Sequence, residues 1–264
     1  MSTTLPPPQA AAPSVDTGQA APAPEPMLTV IERRSGWRAL DLGDLWRYRE
    51  LLYFFTWRDV KVKYKQTVLG VAWTVLQPVV TMIIFTVIFG RLVGLDQNTG
   101  AVPYPVFVFA GLLPWTLFAQ ALGGSGNSVL ASSGIITKIY FPRLLIPVAS
   151  IGASLVDFAT SFVVLLVLMA AYGVLPGVEV LLLPPLLLLL LMAALAVGIV
   201  SSALSVRYRD FRYLIPFAVQ TLLYLTPVIY PVTIIPDRFR WLIAINPMTG
   251  VIDGFRYALL GQPL

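Results

Sequence analysis

Long stretches without charged side chains divide this sequence into five apolar segments. Each segment is close to the length of roughly 20 apolar residues that a helix needs to cross a hydrocarbon core of about 30 Å. The pattern therefore predicts an all-α integral membrane protein. The five predicted spans are about residues 68–92, 104–123, 146–173, 181–206 and 213–231.

The composition argues against a soluble domain. Hydrophobic residues make up 57% and charged residues only 12% of the 264 residues, and the mean hydropathy is +0.80. The sequence contains no Cys and no His, which removes thiol nucleophiles, disulfides, imidazole bases and Cys/His metal sites. We therefore expect no catalytic residue and no metal site.

The first 66 residues differ from the rest. Residues 1–26 are rich in Pro and Ala and contain no Lys or Arg, which predicts a disordered tail. Residues 27–66 form a cytoplasmic region in which the stretch 44–66 mixes aromatic and charged side chains. This stretch favours an amphipathic helix in the lipid headgroup layer. A juxtamembrane linker is the alternative, because Arg58 and Asp59 interrupt the apolar face.

The distribution of Lys and Arg predicts the orientation. With the N-terminus in the cytoplasm, fourteen basic residues lie inside and four lie outside, namely Arg91, Arg238, Arg240 and Arg256. Cytoplasmic loops collect Lys and Arg. The net charge of +5 is therefore a topology signal, and we expect no nucleic-acid partner.

Asp157 is the one ionised side chain inside the predicted third span. A carboxylate at the bilayer centre is costly, so it should face protein or water. We expect interhelical hydrogen bonds against the small residues Gly198, Ser202 and Ser205. A cavity or a proton-linked site is the alternative.

Two helical faces combine an amide with aromatic side chains, one in the first predicted span and one in the fifth. Such faces suit sugars, because rings stack on pyranoses while polar groups meet hydroxyls. Ordinary helix packing explains them equally well. The residues are Thr74, Gln77, Thr81 and Phe85 in the first span, and Phe217, Gln220 and Tyr224 in the fifth.

A short cytoplasmic loop carries a cation at each end and aromatic residues between them. We expect a short helix that stops before the proline and docks on a partner. No G-x-x-x-x-G-K-[ST] motif occurs in the sequence, so any ATP is bound elsewhere. The loop comprises Lys138, Ile139, Tyr140, Phe141, Pro142 and Arg143.

Several motifs occur in a recognisable order over residues 44–264. They are TVLGVAWTVLQPV, FAGLLPWTLFAQAL, KIYFPRLLIPV, VRYRDFRYLIPFAVQTLLYLTPVIYP and INPMTGVIDGFRYALLG. Together they resemble the permease subunit of type-2 ABC exporters, in the group that exports polysaccharides and polyol phosphates. On this resemblance, residues 67–264 are the type-2 ABC transmembrane domain.

The resemblance implies a multi-pass protein of the cytoplasmic (inner) membrane. It implies a homodimer with two separate ATPase subunits that bind ATP and Mg, with no cofactor in this chain. The cargo would be a lipid-linked polysaccharide such as O-antigen, capsule or teichoic acid. Residues 134–143 would be the coupling helix on the ATPase, beside the 44–66 helix. The first and fifth spans would line the channel. Short outward helices over 237–260, with Trp241, Asn246 and Pro247, would gate the exit.

The resemblance also implies a sixth span after the outward segment. The sequence ends at Leu264, so we expect an incomplete version of the protein; a nonfunctional remnant is the alternative.

Two other functions stay open. A type-2 permease for a drug or lipid would have a narrow apolar lumen. A membrane-embedded transferase would need a carboxylate pair or a His, and the spans offer only Asp157.

Overall fold

The computed structural model describes residues 42–65, 72–100, 102–138 and 140–262, and the regular secondary structure of these ranges is helical. The predicted tail over 1–26 and the segment 27–41 lie outside the described residues. The helices are α1 (Leu42–Arg47), α2 (Arg49–Lys65), α3 (Ala72–Phe85), α4 (Tyr104–Ala131), α5 (Ser133–Ile136), α6 (Leu145–Ala171), α7 (Leu183–Arg207), α8 (Phe211–Leu225), α9 (Asp237–Ala244) and α10 (Pro247–Leu260).

Four of the five predicted spans are confirmed as helices long and apolar enough to cross a membrane. They are Ala72–Leu92, in which α3 continues as a π-helix, Tyr104–Ala131, Leu145–Ala171 and Val178–Arg207. The second is longer than the predicted 104–123. Its small polar residues are tolerated in the helix because their hydroxyls are satisfied by its own carbonyls, as Ser125 Oγ is by Ala121 O at 2.7 Å and Ser128 Oγ by Ser125 O at 2.7 Å.

The fifth predicted span, 213–231, is wrong in its length. The helix α8 has 15 residues and is about 22 Å long at a rise of roughly 1.5 Å per residue, short of the hydrocarbon core of about 30 Å. The chain leaves the helix at Thr226, before Pro227, which lacks an N–H. Residues 226–229 are nevertheless buried, so the segment continues through protein without regular structure.

The helix α4 lies at the centre of the bundle. It packs against α3, α6, α7, α8 and α10, and most of its residues are buried. The closest approach is to α7, where a Cβ atom on Gly198 would overlap the hydroxyl of Ser125. The small residues of α7 therefore serve the contact with α4.

The C-terminal segment forms two short helices within the predicted range 237–260, and their position outside the membrane stays a prediction. The helix α9 is largely exposed, but α10 packs against α4 and α7 and buries nine of its 14 residues. Gln262 Nε2 donates to the carbonyl of Thr99 at 2.9 Å. The segment after α8 thus packs on the bundle, and its end lies beside Thr99.

Candidate functional site

A polar cavity of about 60 Å³ lies between α3, α4 and α6. Its size suits a few water molecules, since each needs about 10–15 Å³ of such volume. Three of the four path residues predicted in the first span, Thr74, Gln77 and Thr81, line it. The remaining lining residues are Pro78, Leu112, Thr116, Leu117, Gln120, Ser154, Asp157, Phe158 and Ser161.

Pro78 explains part of the polar character of this wall. A proline inside a helix removes the hydrogen bond to the carbonyl four residues earlier, which here is that of Thr74. Ser161 Oγ, on α6, donates to this carbonyl at 3.4 Å. The exposed backbone oxygen of α3 is therefore satisfied by the neighbouring helix.

Asp157 is the buried end of the cavity, with 3% of its surface exposed. Its carboxylate accepts hydrogen bonds from the ammonium of Lys63 and the hydroxyl of Tyr64, both on α2. The predicted partners on α7 are therefore wrong. Gly198 packs on Ser125 instead.

Tyr64 stays a hydrogen-bond donor over the physiological pH range. Burial, together with the hydrogen bond to Asp157, raises the pKa of its phenol to about 12. Lys63 keeps 44% of its side chain exposed, against 5% for Asp157. The buried carboxylate is thus reached by a cation from the more open side of α2. We call Lys63, Tyr64 and Asp157 the α2–α6 junction.

The other predicted path residues do not join the cavity. Phe85 packs on the hydrophobic core and lies edge-on to Phe89, with ring centroids 5.7 Å apart. Phe217, Gln220 and Tyr224 are exposed on α8. Because α8 packs on α4 and α7 while α3 packs on α4 and α6, the two predicted faces lie on different sides of α4.

The predicted docking loop is less helical than expected. The short helix covers only Ser133–Ile136 rather than 134–143, and Ile139 lies outside the described residues. Lys138, Tyr140 and Arg143 are exposed. Phe141 is buried, and its ring centroid lies 5.5 Å from that of Phe55 on α2.

Pro142 is half-buried, so the loop presents a polar outer side over an apolar anchor. The anchor is a small cluster of Phe55, Phe141, Leu145, Ile146 and Ala149.

The predicted exit-gate residues have separate structural roles. Asn246 caps α10, since its Oδ1 accepts from the backbone N–H of Met248 at 3.0 Å, while its Nδ2 donates to Thr226 Oγ1 at 2.8 Å. Pro247 occupies the first turn of α10, where it is favoured. Trp241 is exposed on α9. Asn246 therefore ties the start of α10 to the end of α8.

Arg256 was counted as an outside charge, yet only 3% of its surface is exposed. Its two terminal nitrogens donate to the carbonyls of Pro227 and Val228 at 2.8 and 2.6 Å. Burial lowers its pKa to about 10, so the guanidinium keeps its charge at neutral pH. This arginine satisfies the backbone that follows α8, which explains how the irregular segment 226–229 can be buried.

Sequence reasoning missed Lys63, Tyr64, Gln120 and Arg256 as site or support residues. In the sequence, Lys63 and Arg256 serve only as charges that indicate the topology. The one signal available for Lys63 was the need of Asp157 for a partner.

Within the described ranges, no three Asp, Glu, Cys or His side chains are grouped so that they could hold a metal ion.

Comparison with known proteins places this bundle in a family. An O-antigen export system permease protein RfbA from Myxococcus xanthus is 32% identical over 216 residues, which is 81% of each chain. A protein of the same name from Klebsiella pneumoniae is 32% identical over 208 residues, 78% of this chain and 79% of the relative. The polysialic acid transport protein KpsM of Escherichia coli is 21% identical over 208 residues, 77% of this chain and 78% of the relative.

A family profile described as ABC-2 type transporter matches residues 50–260, which is most of the described bundle. This match and the four apolar helices identify a multi-pass membrane protein that serves as a transport subunit and not as an enzyme. The chain belongs to the ABC-2 type transporter family.

Proposed function

We propose that this chain is the permease subunit of an exporter that moves a lipid-linked polysaccharide across the cytoplasmic membrane. The observation that carries this proposal is the 32% identity to an O-antigen export system permease over 81% of both chains. The alignment spans the bundle itself, not one motif. A drug or lipid cargo has no comparable support.

The cavity holds only a few water molecules, but the polar side chains at its open edge suit a hydroxyl-rich cargo. Gln77 and Gln120 are exposed while Asp157 is buried, so the cavity runs from an accessible edge into the bundle. Amide groups can both donate to and accept from sugar hydroxyls. Phe217 and Tyr224 supply exposed rings on α8 for stacking on pyranose faces.

A two-fold dimer would bring these two groups together. Within one chain they lie on different sides of α4, and both α3 and α8 carry exposed apolar side chains such as Ile83 and Leu214. Most oligomers of identical chains have closed symmetry. We therefore assign α3 and α8 to the wall of a path between two protomers.

The energy source in this proposal is a pair of separate ATPase subunits that hold ATP and Mg. The chain itself has no phosphate-binding G-x-x-x-x-G-K-[ST] motif. The excess of Lys and Arg on the N-terminal side favours a cytoplasmic N-terminus. That orientation turns the exposed Lys138, Tyr140 and Arg143 toward the ATPase.

Complementation tests the proposal. The gene, with its partner ATPase gene, is placed in a host that lacks an O-antigen permease, and surface polysaccharide is measured. We expect export to be restored by the wild-type chain and reduced by Gln77→Ala and Tyr224→Ala. Val167→Ala is the control, because Val167 is 65% exposed on an apolar face of α6. Drug efflux by the wild-type chain without surface polysaccharide would refute the assignment.

A further inference from the structure

The helices α2 and α6 run side by side in the same direction. Thr56 Oγ1 donates to the carbonyl of Ala149 at 3.3 Å across 93 residues of sequence. Lys63 meets Asp157 across 94 residues, and Tyr64 meets Asp157 across 93. Because this offset is constant over about two helical turns, the two helices follow each other along their lengths.

At the end near the cytoplasmic loop, apolar packing joins them. Phe55 on α2 contacts Phe141 in the loop that leads into α6. Next to Phe55 on α2, Thr56 lies against Gly152 of α6. The glycine lets the two helices approach closely, since a Cβ atom there would lie 3.3 Å from the Cβ of Thr56. Any displacement of the loop that carries Phe141 therefore presses on both helices.

At the other end, the α2–α6 junction joins them by charge. Asp157 is almost fully buried and both of its oxygens are occupied by α2. A buried carboxylate that loses its cation is strongly unfavourable. Separation of α2 from α6 at this point would therefore leave the buried carboxylate of Asp157 without a counter-charge.

The same carboxylate lines the polar cavity with Thr74 and Gln77 of α3 and Gln120 of α4. The junction consequently lies where the α2–α6 pair meets the proposed transport path. Neither Lys63 nor Tyr64 lines that cavity.

We propose that the α2–α6 junction makes α2 and α6 move as one body, so that a displacement of the cytoplasmic loop reaches the polar cavity. Lys63 and Asp157 are positioning residues in this inference, which rests on the proposed function for the ATPase that supplies the displacement and for the transport path that receives it. They act by holding α2 against α6. In this inference they are not part of the ATPase docking surface.

Charge reversal tests the junction in the full chain assembled with its partner ATPase. We expect Lys63→Asp and Asp157→Lys each to lower polysaccharide export by about tenfold or more, while the ATPase still co-purifies and hydrolyses ATP. The double swap K63D/D157K restores the opposite charges and should recover most of the export. Lys61→Asp is the control, since Lys61 is exposed on the same helix with its ammonium 5.2 Å from the Trp57 ring centroid.

A disulfide gives an independent readout. The sequence contains no Cys, and a Cβ atom at position 152 would lie 3.3 Å from that of position 56, so a small outward shift reaches the range of about 3.5–4.5 Å found in disulfides. We expect the pair T56C/G152C to cross-link in the membrane. Oxidation of this pair should raise export in the Asp157→Asn background, because the covalent bond then holds α2 against α6 where no buried carboxylate is left unpaired.

Two results would overturn the inference. One is wild-type export by the single reversals in assembled complexes. The other is a double swap no better than either single variant. If the single reversals do not accumulate, Lys63→Met and Asp157→Asn replace them. If the wild-type complex exports no polysaccharide, the proposed function fails, and the junction is judged by whether Lys63→Asp, unlike Lys61→Asp, lowers the cross-linking of T56C/G152C.

Discussion

The guanidinium carbon of Arg256 lies 3.7 Å from the centroid of the Phe107 ring, so one cation on α10 stacks on the central helix while it donates to the carbonyls of Pro227 and Val228. Oδ1 of Asp253, on the same helix, lies 3.7 Å from a terminal nitrogen of Arg256. A planar guanidinium stacks flat on a ring while two separate nitrogens donate to two carbonyls, whereas an ammonium has no flat face and donates from a single nitrogen. One side chain thus connects α4, α10 and the segment that ends α8.

Substitution of Arg256 should destabilise the fold even when charge is kept. We expect Arg256→Lys to lower the thermal stability of the purified protein, because two buried carbonyls then share a single point donor; each unsatisfied carbonyl costs about 1–3 kcal/mol. The loss is measured as the folded fraction after heating in detergent. The matched control is Arg238→Lys, whose guanidinium lies over Phe239 on the exposed helix α9, and which should cost nothing measurable.

The Asn246 cap predicts a coupling between two helix ends. Asn246→Ala removes the acceptor for Met248 N–H and the donor to Thr226, so we expect a loss of about 1 kcal/mol from the cap and a further loss from the bond to Thr226. Asn246→Asp keeps the cap acceptor alone. A double-mutant cycle with Thr226→Val measures the second bond, and additive losses would contradict it.

Two glycines that look alike in sequence should respond in opposite ways to Ala. Gly198→Ala places a methyl group where Ser125 lies, and overpacking of this kind costs about 1–3 kcal/mol. Gly123→Ala meets no atom within 4 Å and gains helix propensity of about 1 kcal/mol. Thermal unfolding of both variants, and of G198A/S125G, checks this; the Ser125→Gly change should relieve the clash.

Tyr140 and Phe141, which are adjacent in the loop before α6, should separate the effect of packing from that of docking. Phe141→Ala removes a ring that is 6% exposed, so we expect lower stability, in the range of about 3–5 kcal/mol for a buried Phe. Tyr140 is 70% exposed, so Tyr140→Ala should leave stability unchanged and weaken ATPase co-purification. A Tyr140→Ala variant that binds the ATPase normally would remove that residue from the docking surface.

Some features were predictable because they depend on a property that is summed along the chain. The length of a charge-free run relates directly to the thickness of the membrane, and four spans followed from it. The amide face of α3 was also found, since residues at helical spacing share a side whatever they pack against. Three of its four members do line one cavity.

Other predictions failed where the result depends on a neighbour distant in sequence. The helix α8 was expected to continue to residue 231, but a buried irregular segment follows it, stabilised by Arg256 from 28 and 29 residues away. Nothing in the sequence of the stretch 226–231 indicates that Arg256 is its partner. Phe141 likewise looked like a docking residue until Phe55 was found against it.

The sequence by itself determined that this chain is a bundle of membrane-spanning helices of the ABC-2 type, because hydropathy and local motifs need no partner to be read. Only the tertiary structure decided that Asp157 pairs with Lys63 and Tyr64 and that Arg256 is buried. A buried charge is stable only when an opposite charge or an unpaired carbonyl lies near it. Packing brings that partner from dozens of residues away in the sequence.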